Sequence, residues 1–247
     1  NDGRDADLLL RNADMALYRA KSEGRAGFRF FESEMDVKTK ARRTLETDLR
    51  TALANEAFEV HYQPILNLHT RRIASCEALV RWRHPERGMI SPVEFIPVAE
   101  EMGLIVQIGE LVLRRACMEC ARWPDSTRVA VNLSPIQFKR GNIIQVIREA
   151  LAESGLPPNR LEVEITESVL LQDTEATRVA LSQLRELGVR ISLDDFGTGY
   201  SSLSYLHSFP LHKVKIDRSF LKDIITSERS RTLLRGVAQL SAELGMA

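Results

Sequence analysis

Ile191-Ser-Leu-Asp-Asp-Phe-Gly-Thr-Gly-Tyr200 sets two adjacent carboxylates between an apolar run and a glycine-rich turn. Neighbouring side chains on a strand point to opposite faces, so Asp194 and Asp195 serve one site only if the strand is ending there. The stretch is therefore either a solvated turn or the rim of an active site. The ends of the other strands decide which.

Apolar strand-like runs occur at 58–66, 72–82, 128–133, 160–166, 189–194 and 213–217. After the first two they alternate with amphipathic helix patterns at 93–122, 142–154, 174–187 and 229–245, with a shorter one at 201–207. Asn67-Leu-His-Thr-Arg71 is short enough to join the first two runs as a hairpin, whereas the rest need crossovers. This alternation of Val/Ile/Leu-rich strands with helices predicts a parallel α/β sheet, doubly wound or closed into a barrel. Each run after the first carries a polar residue at or near its C-terminal end: Glu77, Asn132, Glu164, Asp194 and Lys215. In a parallel barrel those ends converge on one mouth. A doubly wound sheet would carry a glycine-rich turn after its first strand, and none is present. The expectation is a barrel.

The first residues form a separate piece. Leu9, Ala13, Ala16, Leu17 and Ala20 share one stripe of a helix over 8–21, with Gly24 as a stop and Phe28-Arg-Phe-Phe31 as a short strand. A charged stretch from Glu32 to Arg43 reads as a linker into a second helix, Leu45 to Ala54. The basic cluster Lys38–Arg43 within it reads as a solvated helix start.

Composition narrows the class. With 44% apolar residues in 247, and 34 basic against 34 acidic side chains, the chain has enough apolar material for a core and no excess charge for a nucleic-acid polymer or a membrane surface. No apolar run approaches the roughly 20 residues of a membrane span, and Asn-Asp-Gly-Arg-Asp-Ala-Asp at the start has no signal-peptide character, so a cytoplasmic location is expected. Cys117 and Cys120 fall within a helical pattern on one face and read as packing rather than as a zinc or redox pair. The five histidines form no metal-binding pair of helical spacing.

The carboxylates Glu77, Glu164, Asp194 and Asp195, gathered at one mouth with the amide oxygen of Asn132, would repel one another unless cations neutralised them. Oxygen-only ligands point to Mg²⁺ or Mn²⁺. Two such ions activate a water and stabilise the leaving oxygen of a phosphate ester. Asp195, at the strand end, is placed for the second ion, and Lys215 supplies positive charge near the nucleophile. Plainer readings exist: Glu77 paired with Arg81 or Arg83, Asn132 capping a turn, Glu164 and Glu167 on a solvated edge, Lys215 facing outward. Together they require independent coincidences at matching strand ends. Asp195-Phe-Gly197 also resembles the metal-binding turn of protein kinases, but no His-Arg-Asp loop, glycine-rich phosphate loop or suitable lysine strand precedes it.

Glu77-Ala-Leu-Val-Arg-Trp82, Asn132-Leu-Ser, Glu164-Ile-Thr-Glu167, Asp194-Asp-Phe-Gly-Thr-Gly-Tyr-Ser-Ser202 and Lys213-Val-Lys-Ile-Asp217 resemble, in order and spacing, the motifs of the EAL-domain cyclic di-GMP phosphodiesterases. The resemblance implies a TIM-like (β/α)8 barrel with an antiparallel first strand. It implies hydrolysis of cyclic di-GMP to linear pGpG with two Mg²⁺ or Mn²⁺ ions. In that family's terms Glu77, Asn132, Glu164 and Asp194 resemble ligands of the first metal and Asp195 the ligand of the second, with Lys215, Asp195 and Glu77 catalytic. Gln63 and Arg81 resemble contacts to the substrate, and Glu167 resembles the residue that steadies the loop from Asp195 to Ser202. A homodimer through this domain is also implied. The alternative is an inactive module that binds cyclic di-GMP or dimerises.

Ala13-Asp-Met-Ala-Leu-Tyr-Arg-Ala-Lys-Ser-Glu-Gly-Arg25 resembles the C-terminal end of a GGDEF diguanylate cyclase domain, with Ala26 where that family usually has Asn. The implied organisation is a GGDEF remnant over 1–36, a linker over 37–44 and an EAL domain over 45–247. It carries the further expectation that the chain is an interior fragment, with two strands and another catalytic-site glutamate lying beyond Ala247.

Overall fold

The computed structural model describes residues 5–22, 28, 33–140, 142–171, 175–197, 208–222 and 224–246. The expected stop at Gly24, most of the Phe28–Phe31 strand, the helix at 201–207 and the loop beyond Gly197 lie outside them. The chain divides into two units, Asn1–Glu56 and Ala57–Ala247.

In the first unit helix α1 spans Ala6–Ser22 and α2 spans Ser33–Ala54, and the two are in contact. The stretch expected as a linker is thus helical. Ala16 is buried, yet Leu9 and Leu17 of the expected stripe are about half exposed, because two helices offer too little surface to cover it.

The second unit is an α/β, TIM-like arrangement. Its strands are β1 (Phe58–Asn67), β2 (Arg72–His84), β3 (Gly88–Ile90), β4 (Arg128–Leu133), β5 (Leu161–Thr166), β6 (Arg190–Phe196) and β7 (Lys213–Ile216). They lie in the order β1-β2-β4-β5-β6-β7, with β3 pairing off the path onto β2. β1 runs antiparallel to β2 through the expected hairpin, and every later neighbour in the path is parallel. Between them come helices α3 (Pro92–Met102), α4 (Ile105–Cys120), α5 (Pro135–Arg140), α6 (Ile143–Ser154), α7 (Glu167–Leu171) and α8 (Glu175–Glu186), and α9 (Glu228–Glu243) follows β7.

Two departures from the periodicity have local causes. One helix over 93–122 becomes two because Gly103 takes φ +75°, and its N–H returns to Glu100 O to close α3. Strand β3 escapes a pattern search because it is only three residues long. It folds back on Trp82–His84 through a turn in which His84 Nδ1 accepts the N–H groups of Glu86 and Arg87 at 3.2 and 3.1 Å.

Alternation sorts the side chains. Val129, Val131, Leu161, Val163, Ile165, Ile191 and Leu193 are fully or almost fully buried and build the core of the parallel strands. Trp82 packs edge-on against Phe95 of α3, and Phe58 lies beside both rings, sealing the hairpin against the helix. Cys117 and Cys120 are both buried on α4, where burial pushes the Cys117 thiol up to about 12, the form of a packing cysteine rather than a nucleophile.

Candidate active site

Glu77, Glu164 and Asp194 converge as expected: one oxygen from each lies within 4.8 Å of the others. Lys215 stands among them, its Nζ donating to Glu164 Oε2 at 2.6 Å, Glu77 Oε2 at 3.1 Å and Asp194 Oδ2 at 3.1 Å. Asn132 Nδ2 donates to Glu77 Oε1 at 2.8 Å. These bonds answer the plainer readings. Glu77 does not pair with Arg83, which binds Glu59 at 2.6 Å, and the Arg81 guanidinium donates to Val80 O at 2.9 Å. Glu164 is only 1% exposed, so it lies on no solvated edge.

Glu77 is not at the end of its strand. β2 continues to His84 as a hairpin with β1 and β3, but its parallel pairing with β4 stops at Ala78–Val131. The parallel rim passes Glu77, and the rest of β2 extends beyond it.

Asp194 and Asp195 also differ from the expectation. The strand does not stop at them; it bulges. Leu193 pairs with Val214 and Phe196 with Ile216, so the two aspartates together face the single residue Lys215. Asp195 takes φ +54°, a left-handed conformation that short polar side chains tolerate, and its N–H reaches Asp194 Oδ1 at 3.0 Å. The extra residue breaks the two-residue alternation, which frees both carboxylates from opposite faces. The bulge is closed by Gly197 at φ +98°, whose N–H donates to Glu167 Oε1 at 2.7 Å. A side chain there would run into the ring of Phe220, so both the backbone angle and the space require glycine.

Electrostatics at the mouth follow from burial and crowding. Burial pushes Glu164 up to about 7, with Glu77 and Asp194 adding to the rise and Lys215 opposing it. Burial also raises Asp195, helped by the charges of Asp194 and Asp217. For Lys215, burial works against the ammonium, but Glu164, Asp194 and Glu77 outweigh it and hold it above its ordinary range. Glu164 Oε1 is buried without a hydrogen-bond partner, an expensive arrangement for a carboxylate unless a cation completes it. With three acidic oxygens this close, the donor set fits a bound metal ion.

The remaining expected site residues are more dispersed. Gln63 is exposed and stands directly opposite Glu77 in the β1–β2 register, on the same face. Arg81 is half-buried four residues along β2 from Glu77, about 14 Å at the usual rise per residue, beyond the parallel rim. The sequence reading missed a second cluster under the mouth, in which Glu162, 1% exposed, pairs with Lys213 at 2.7 Å and Arg190 at 3.8 Å. Its signal was the matched spacing of Glu162-Val-Glu164 and Lys213-Val-Lys215.

Comparison with known proteins agrees with this geometry. Residues 46–247 match the family described as EAL domain. An uncharacterized signaling protein of Caulobacter vibrioides is 51% identical over 244 residues, covering 99% of this chain and 30% of that protein. The bifunctional diguanylate cyclase/cyclic di-GMP phosphodiesterase MucR of Pseudomonas aeruginosa is 41% identical over 249 residues, covering 99% and 36%. The solved PaMucR phosphodiesterase, in complex with c-di-GMP, superposes with a TM-score of 0.77 at 41% identity over 82% of this chain and 84% of that one. The chain thus spans about a third of the length of these curated relatives.

Proposed function

Because the chain belongs to the EAL-domain family, we propose that it forms part of a metal-dependent phosphodiesterase that hydrolyses cyclic di-GMP to linear pGpG. The observation that carries this reading is the meeting of Glu77, Glu164 and Asp194 oxygens within 4.8 Å at one rim, with Glu164 Oε1 buried and unbonded. The c-di-GMP held by the similar PaMucR phosphodiesterase supports the substrate class.

In this reading Glu77, Asn132, Glu164 and Asp194 would hold one divalent cation and Asp195 a second, and their all-oxygen chemistry favours Mg²⁺ or Mn²⁺. Bound there, the ions would supply a water of lowered pKa and charge stabilisation for the leaving oxygen. Lys215 positions the attacking water and neutralises phosphoryl charge through its ammonium, which its three carboxylate partners keep protonated. Gln63 and Arg81 contact the nucleotide and phosphate. Glu167, through the Gly197 N–H, steadies the segment that carries Asp195.

Residues 1–36 are read as the end of a GGDEF domain, supported by the motif Ala13–Arg25. A homodimer through the EAL domain and a cytoplasmic site of action complete the reading. No described helix is long and apolar enough to cross a membrane.

The test incubates the full-length protein with Mn²⁺ and cyclic di-GMP and follows pGpG by chromatography. Turnover that disappears in Glu164→Gln supports the proposal. Its absence, where a family member works in parallel, refutes it.

A further inference from the structure

Two matched charge pairs are stacked inside the sheet. Lys215 and Lys213 lie two residues apart on β7, and Glu164 and Glu162 two residues apart on β5. The upper pair, Lys215–Glu164, closes at 2.6 Å at the mouth; the lower, Lys213–Glu162, closes at 2.7 Å beneath it. Strand β6 runs between β5 and β7, so each lysine crosses β6 to reach its glutamate. Ser192, fully buried, stands in register with both Glu164 and Lys213, and its small side chain leaves room for that crossing.

A packing role explains the lower pair poorly. Interiors of this architecture are ordinarily filled by Val, Ile and Leu, and a buried ion pair gives little or no net stability over apolar residues of the same volume. What the pair does provide is charge order. The mouth holds Glu77, Glu164, Asp194 and Asp195 with Lys215 as the ammonium bound among them. Glu162 lies one inward position below Glu164, about 7 Å along the strand, within the sweep of a lysine side chain. If Glu162 lacked its cation, it would compete for Lys215 from below. The Lys213 ammonium removes that competition at hydrogen-bonding distance, and Arg190 assists from 3.8 Å with a more exposed side chain.

We propose that Lys213, backed by Arg190, is a positioning residue: it neutralises Glu162 so that Lys215 stays committed to the carboxylates of the mouth. This rests on the phosphodiesterase reading for its catalytic consequence, but not for its effect on metal binding. Loss of Lys213 draws Lys215 downward. The reaction loses a correctly placed ammonium, while Glu77, Glu164 and Asp194 lose a competitor and attract divalent cations more strongly.

The experiment measures kcat, KM and Mn²⁺ affinity by calorimetry in the full-length protein and in Lys213→Met, Lys213→Arg, Arg190→Met and the double variant Lys213→Met/Glu162→Gln. Lys213→Met is expected to lower kcat by about 10- to 100-fold, the range for residues that orient a site from outside it, with KM little changed and Mn²⁺ binding tightened. Lys213→Arg and the double variant should restore both readouts to near the unsubstituted values, and Arg190→Met should show a smaller effect of the same sign. A structural defect would weaken Mn²⁺ binding and kcat together, and that result overturns the proposal. So does a Lys213→Met protein with unchanged kcat and affinity, or a double variant no better than the single one. If the unsubstituted protein shows no turnover, the phosphodiesterase reading falls. The Mn²⁺ affinities of the single and double variants then decide the positioning claim alone.

Discussion

Replacing Gly197 by alanine tests how the Asp194–Asp195 bulge is held. Gly197 sits at φ +98°, and a Cβ there would fall far inside van der Waals contact with Cε2 and Cζ of Phe220. The left-handed backbone costs an L-residue about 1–2 kcal/mol, and forcing a methyl against a packed ring costs about 1–3 kcal/mol more. The expected destabilisation is thus about 2–5 kcal/mol, a large part of the roughly 5–15 kcal/mol that holds a typical domain. The two contributions separate in a double-mutant cycle. In a Phe220→Leu background, which lacks Cε2 and Cζ, Gly197→Ala should cost only the backbone share of about 1–2 kcal/mol. Equilibrium urea unfolding, followed by far-ultraviolet circular dichroism, measures all four proteins. A loss below about 0.5 kcal/mol, or the same loss in both backgrounds, would refute the assignment of strain and contact at this position.

Three further outcomes are expected. Asp195→Asn and Asp195→Gly should hold stability within about 0.5 kcal/mol, whereas Asp195→Val should lose about 2 kcal/mol because a β-branched residue resists φ +54°; equal stabilities in the urea assay would count against the bulge. Saturating Mn²⁺, at about 100 times its dissociation constant, should add about 2.7 kcal/mol, or about 5–10 °C in Tm for a chain of this size. Asp194→Asn should remove most of that shift in a thermal melt, and an unchanged shift excludes Asp194 as a ligand. His212 Nδ1 accepts the Ile191 N–H at 3.0 Å, and burial followed by the charges of Arg190 and Arg185 depresses its pKa below 6.5. The folded state therefore resists protonation that the unfolded state accepts, so this contribution is complete above pH 6.5 and is lost as pH falls through the lower folded value. His212→Asn keeps an acceptor without that titration and should flatten the acid side of the stability–pH curve; a curve of unchanged slope refutes the assignment.

Much of the candidate site was legible because strand ends in a parallel sheet are ordered along the chain. Glu77, Asn132, Glu164, Asp194 and Lys215 could be placed at one rim from the alternation of apolar runs alone. Gly103, by contrast, looked like one more residue in a long helical pattern, although its left-handed conformation ends α3 and separates it from α4. The hairpin beyond Glu77 was missed because a three-residue strand has too few side chains to display a period. The Glu162–Lys213 pair was hidden because each of its residues lies two positions before the polar residue that marks its strand's rim, within a run that otherwise reads as apolar core.

The sequence by itself determined the order of strands and helices, the parallel sense of the sheet after the first hairpin and the residue types gathered at its rim, since each is written in local periodicity. Only the tertiary structure decided how adjacent aspartates could share that rim. Local alternation sends Asp194 and Asp195 to opposite faces. The pairing of β6 with β7 inserts one extra residue opposite Lys215 and undoes that alternation, and a register of this kind is set by a partner strand rather than by the run itself.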